Sequence, residues 1–154
     1  MHFSSTSFVL RVLILLVFTL TLGACFASVK PIYYDKEQAK AERAVTQFHK
    51  LHNEGRVEEI YALLDDATRA GMTKDQFFVA AKQTFDEWGK VQSASLSEAK
   101  VFPSTPIQVK MIYNAKFEKG DGQEWFIWNI QGEDARLFQY QTKPGFDMPP
   151  NSQK

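Results

Sequence analysis

Four groups of side chains in this chain have types that could do chemistry. Cys25 is the only thiol in 154 residues. A lone cysteine can attack or be acylated, but it cannot close an intrachain disulfide. His49 and His52 stand three apart, so on a helix they share a side. A catalytic zinc normally takes three protein ligands, and no third ligand stands at a telling spacing. These two are expected to be solvated helix histidines. Asp65-Asp66 offers paired carboxylates without the spacing of a calcium loop, and is read as a loop following a helix. Tyr113 and Glu124 project from two neighbouring strand patterns with Trp128, a possible pocket in which a buried Tyr–Glu couple could do acid–base work. The plainer expectation is that Tyr113 packs its ring and bonds a backbone group, while Glu124 sits at the rim beside a turn. There is no glycine-rich phosphate loop and no nucleophile elbow. No catalytic residue, metal site or cofactor is assigned, and the chain is read as a non-enzyme.

The place of Cys25 says more than its chemistry alone. The first 24 residues hold no acid and one base, Arg11, and Val12 to Leu22 reads VLILLVFTLTL. That run is too short for a spanning helix, which needs roughly 20 apolar residues. A positive residue, a short apolar run and small residues form the secretory signal pattern. Leu22-Gly23-Ala24-Cys25 then resembles the lipobox of bacterial lipoproteins. The resemblance implies that the Cys25 thiol receives diacylglycerol, that the chain is cut before it, and that the new amino group can be acylated. Ordinary cleavage after Ala27 is the competing reading and would delete Cys25. Two or more acyl chains hold a protein stably on a bilayer, where one does not. The expected localisation is export and lipid anchoring. With Phe26 and not Asp after the cysteine, the resemblance implies the periplasmic face of the outer membrane if the source is diderm.

The mature chain must position the remaining groups with its own elements. Residues 25–36, with Pro31, read as the lipidated cysteine and a tether. Asp35 and Gln38 have capping-box spacing, so a first helix is expected from about Lys36 to His52. Its stripe is Ala41, Val45, Phe48 and His52, with Ala44 and Leu51 beside it. Asn53-Glu54-Gly55 supplies the stop. A second helix, about Arg56 to Leu64, carries Val57, Ile60, Tyr61 and Leu64 at helical spacing. DDATRAG is read as a loop. Thr73 and Gln76 repeat the capping box and open a third helix to about Trp88, burying Phe77, Phe78, Ala81, Phe85 and Trp88. Gly89 closes it as a left-handed cap. The period then changes. VQSASLSEAKVF is a weak strand or two, PSTP breaks it, and Ile107 to Glu118 alternates as a strong strand. Gln123 to Gln131 and Ala135 to Thr142 follow as strands. Residues 143–154, with three Pro, read as a flexible tail.

Three helices followed by a curved antiparallel sheet is the order of the nuclear transport factor two-like, or cystatin-like, cone. The expected fold class is therefore α+β: three N-terminal helices on a curved antiparallel sheet, preceded by a signal peptide. The stretch IYALLDDATRAGMTKDQFFVAAKQTFDEWGKV, residues 60–91, resembles the second- and third-helix region of small bacterial secreted proteins of unknown function with this fold. The matched residues are Tyr61, Met72-Thr73, Phe77 and Gly89, with Glu124, Arg136 and Tyr140 later. The resemblance spans about residues 37–142, taken as one domain. It departs at Ala135, where the family often has Trp.

A turn at Gly120-Asp121 pairs Glu118 with Gln123, so Phe117 faces Glu124, Ala115 faces Phe126, Tyr113 faces Trp128 and Met111 faces Ile130. One face of both strands becomes apolar. The resemblance turns Leu137 inward and Phe138 and Tyr140 outward, and a two-residue turn at Glu133-Asp134 agrees. The outer face would then show Trp125, Ile127, Phe138 and Tyr140 as an interaction patch. A three-residue turn would instead send Phe138 and Tyr140 into the core. Cones of this class often dimerise through the outer face, so a homodimer is the implied partner. An envelope protein or a small apolar ligand stands beside it. Eighteen bases against eighteen acids leave no surplus for nucleic acid. The functional expectation is a membrane-anchored binding domain. An envelope inhibitor or immunity protein is the alternative, with a small enzyme using the cone pocket behind it.

Overall fold

Thr73 and Gln76 form the capping box that their spacing predicts: the Thr73 hydroxyl accepts from the Gln76 amide, and the Gln76 side chain accepts from the Thr73 amide at 2.9 Å. In the computed structural model, which describes residues 32–145 and their side chains from residue 35, this box opens α4 (Lys74–Trp88). Three helices precede it: α1 (Ile32–Asn53), α2 (Val57–Leu63) and α3 (Asp66–Gly71). Four strands follow: β1 (Val91–Phe102), β2 (Ile107–Phe117), β3 (Gly120–Gln131) and β4 (Asp134–Pro144), paired antiparallel in the order β1-β2-β3-β4. The fold is α+β, helices first and an open four-stranded sheet after. The signal segment, Cys25 and residues 146–154 lie outside the described residues.

The helix signals hold in outline, with corrections to the start of α1, to DDATRAG and to the cap at Gly89, whose ψ of −154° lies outside the left-handed region. Helix α1 begins at Ile32, before the expected Lys36, so Asp35 lies in its first turn and forms no box; Gln38 instead donates to Glu42 at 2.9 Å. At the other end Gly55, φ +67°, makes a Schellman stop, with its amide on the His52 carbonyl and the Arg56 amide on that of Leu51. The DDATRAG segment is not a loop. Asp65 caps it by accepting from the Thr68 amide at 2.7 Å, and Asp66 to Gly71 coils into α3. The acidic pair is thus a cap followed by a first-turn carboxylate, both favourable at a helix N-terminus. VQSASLSEAKVF forms one strand. Lys143 and Pro144, placed in the tail by composition, belong to β4, and Pro144 pairs with Gly122.

Both hairpins differ in register from the sequence reading, with different consequences. The first turn is Glu118-Lys119, not Gly120-Asp121, so Tyr113 pairs with Glu124, Met111 with Phe126, Val109 with Trp128 and Ile107 with Ile130. The displacement is four residues. Because side chains alternate with period two, an even shift moves partners but leaves every residue on its expected face. The turn is held from outside, since the Glu118 amide bonds the Lys90 carbonyl and the Lys119 amide that of Trp88. The last turn is Gly132-Glu133, which pairs Ile130 with Ala135 and Trp128 with Leu137. A bulge then intervenes: Ile127 pairs with Gln139, leaving Phe138 as the extra residue. One extra residue reverses the faces, so Leu137 and Tyr140 both point to the helices. The expected outward Tyr140 is therefore corrected.

The core lies between α1 and the inner face of the sheet. The predicted α1 stripe is buried throughout, and it meets Met111, Tyr113, Phe126, Trp128, Ile130 and Leu137. Phe48 stands edge-on to Phe126 at 5.3 Å between centroids. Trp88, Val91, Ala115 and Phe117 form a second small cluster that closes one end.

Candidate functional site

The polar centre of the core is Glu124, with 0% exposure. It does not sit at the rim, because the four-residue register shift carries it away from the turn and opposite Tyr113. His49 Nε2 donates to its Oε2 at 2.7 Å, and the Tyr140 hydroxyl donates to its Oε1 at 2.9 Å. A buried carboxylate is tolerable only when its oxygens are partnered, and both are. The Tyr140 ring packs on Phe48 and Phe126, at 4.6 and 4.9 Å between centroids. Burial first, then the neighbouring Glu124 charge, holds the Tyr140 hydroxyl well above the usual phenol range. Tyr113 lies 6.1 Å from the His49 ring and is pushed up to about 12, by burial first and then by the charges of Glu42 and Glu124.

Neither histidine is a free surface residue. His49 is bound to Glu124, and His52, at 7% exposure, bonds the Gly89 carbonyl at 2.9 Å. They part because consecutive faces of α1 meet different elements, the sheet for His49 and the end of α4 for His52. Among the described residues no group of three His, Cys, Asp or Glu could hold a metal ion. The proposed pocket of Tyr113, Glu124 and Trp128 is a filled part of the core. Trp128 has 0% exposure and stacks on Phe126 at 6.0 Å.

The open space lies beside this network. A cavity of about 250 Å³ separates α4 from β4 and α1. Phe48, Ile60, Leu64, Phe77 and Leu137 give it apolar walls, and the rings of Tyr140 and His52 reach it from the core. It exists because α4 does not close on the sheet. Of its expected stripe only Trp88 is buried; Phe77, Phe78, Ala81 and Phe85 are half-buried. Ala80, Ala81 and Thr84 face the gap where larger side chains would have filled it. This small-residue segment between Phe77 and Phe85 is the signal that the sequence reading passed over.

The outer patch is rearranged. Trp125 and Ile127 lie on the outer face, opposite Ile112 and Lys110. Tyr140 has left it, and Phe138 at the bulge lines the cavity while remaining 39% exposed.

No family model matches the chain, and no curated protein matches it. Among solved structures the chain is similar to that titled "Structure of Bdellovibrio bacteriovorus Bd1075", with a TM-score of 0.51 and 14% identity. The match covers 78% of this chain and 45% of that one, so the chain spans under half the length of that protein. At this identity the likeness shows the fold alone.

Proposed function

We propose that this is an exported lipoprotein, tethered through Cys25, whose domain binds a small apolar ligand in the cleft between α4 and β4. The cystatin-like cone is the fold that this reading assigns to the helices and sheet. The observation that carries it is the cavity itself, with aliphatic and aromatic walls and a volume near the lower end of small-molecule pockets, about 300 Å³. Binding rather than catalysis follows from the polar network. Both oxygens of Glu124 are engaged inside the core by His49 and Tyr140, and neither Glu124 nor His49 lines the cleft.

The test is titration of the purified protein with an uncharged naphthylamine dye that fluoresces in apolar surroundings. Ala81→Phe puts a ring into the cleft from α4 and is expected to weaken dye binding at least tenfold while the thermal unfolding transition stays cooperative. Equal binding by the folded variant would refute the cleft. For the tether, Cys25→Ala is expected to abolish lipid labelling in cells, and persistent labelling would refute attachment at that residue.

A further inference from the structure

We infer that the outer face of the sheet docks on an anionic lipid bilayer. Lys110 and Lys143 place their ammonium groups 4.5 and 4.0 Å from the centroid of the Trp125 ring. Register explains the arrangement. Trp125 pairs with Ile112 and Gln141, Lys110 lies opposite Ile127, and Lys143 lies opposite Gln123, so the two lysines approach the ring from diagonal positions on either side. Lys100 pairs with Lys110, and Lys116 stands on the same face near the hairpin end. Among the described residues none of these four lysines forms an ion pair, whereas Lys40, Lys74 and Lys82 on the helices each bind a carboxylate. Glu98, Asp121 and Asp134 are the acids of this face, Asp134 being paired with Arg136, so with the four lysines cations exceed anions there in a chain whose total charge is zero.

The chemistry of the face selects its occupant. Trp and Lys side chains with apolar bodies and polar tips suit the headgroup layer, where apolar surface and fixed negative charge meet. Ile112 and Ile127 flank the half-buried Trp125 ring. Headgroup phosphates supply the missing counter-charge. A second copy on the same face would set lysines against lysines, since a two-fold interface meets itself. The docking rests on the proposed tether. From Cys25 to Ile32 the chain spans at most about 25 Å, so a domain anchored at Cys25 stays within reach of the headgroups.

The test uses the protein purified from membranes and reconstituted into vesicles of phosphatidylcholine, alone or mixed with phosphatidylglycerol, brominated near the headgroup end of the acyl chains. Trp88 and Trp128 are buried, so Trp125 is the indole that bromine can reach. Expected are quenching in the anionic vesicles only, its loss near 1 M salt, and its loss in Trp125→Phe. Lys110→Gln with Lys143→Gln is expected to lower the docked-to-undocked ratio about 30-fold. Equal quenching in both vesicle types, none in either, or quenching unchanged in the double lysine variant would overturn the inference. Cross-links between copies through Trp125 in place of quenching would overturn it in favour of self-association. The mass of the purified chain reports separately on Cys25. Unlipidated protein that still docks only on anionic vesicles would refute the tether and leave the face standing.

Discussion

Tyr140→Phe removes one oxygen and leaves a ring of the same shape against Phe48 and Phe126. That oxygen donates to Glu124 Oε1 at 2.9 Å, and Glu124 is fully buried, so no water replaces it. A hydrogen bond to a charged group contributes about 1.5–3 kcal/mol, and losing the donor leaves a buried acceptor unpaired. The expected cost is about 2 kcal/mol, a roughly 30-fold rise in the unfolded-to-folded ratio. With a urea slope of about 2 kcal/mol/M, the midpoint falls by about 1 M. Equilibrium urea unfolding followed by circular dichroism measures it. The cause is isolated by repeating the substitution in a Glu124→Gln background, where the acceptor is neutral and the cost should drop below about 1 kcal/mol. A midpoint shift under about 0.2 M in the parent, or the same cost in both backgrounds, would refute the claim that Tyr140 holds a buried carboxylate.

Tyr113, raised from 10.0 to about 12, keeps its proton in the fold between those values while the unfolded chain has released it. Its contribution is therefore present in full below pH 10 and lost as pH rises to 12. Urea midpoints across that window should fall, and fall less steeply in Tyr113→Phe. Gly89 has φ +74° and ψ −154°, outside the left-handed cap expected of it, and a Cβ there would meet Glu118 Oε2 at 2.7 Å. Gly89→Ala should cost at least about 2 kcal/mol in thermal unfolding, and a cost below about 0.5 would show that the backbone relaxes freely. Asp65→Ala removes the α3 cap and the acceptor of the Asn129 side chain, at about 1–2 kcal/mol. Asp66→Ala, on the exposed side, should cost well under 1 kcal/mol, and equal effects would refute the capping role.

Local codes were the readable part. Thr73 with Gln76, Gly55 behind the α1 stripe, and the alternation from Ile107 to Glu118 each act within one turn or one strand, and they mark in turn the start of α4, the end of α1 and the body of β2, which stops one residue short at Phe117. The α3 helix was missed although Asp65 is a good cap, because a six-residue helix has no room to show a period. The inner sheet face was legible despite the wrong register, since a shift of four preserves parity. The network around Glu124 was not, since it joins residues 49, 124 and 140, and no local pattern says which partner a carboxylate will meet across such separations.

What the amino-acid order determined by itself is the α+β class, the inward residues of α1, β2 and β3, and the isolation of one cysteine behind an apolar run. These depend on period and on nearest neighbours. Tertiary structure alone decided that Glu124 is buried rather than at a rim, that Tyr140 faces inward, and that α4 stands off the sheet. Each outcome has its own physical reason, and each is expressed only through neighbouring elements. A bulge of one residue at Phe138 reverses the faces beyond it, a hairpin held by Trp88 and Lys90 sets its own turn, and a helix with Ala at its centre leaves a gap only when its neighbours are already in place.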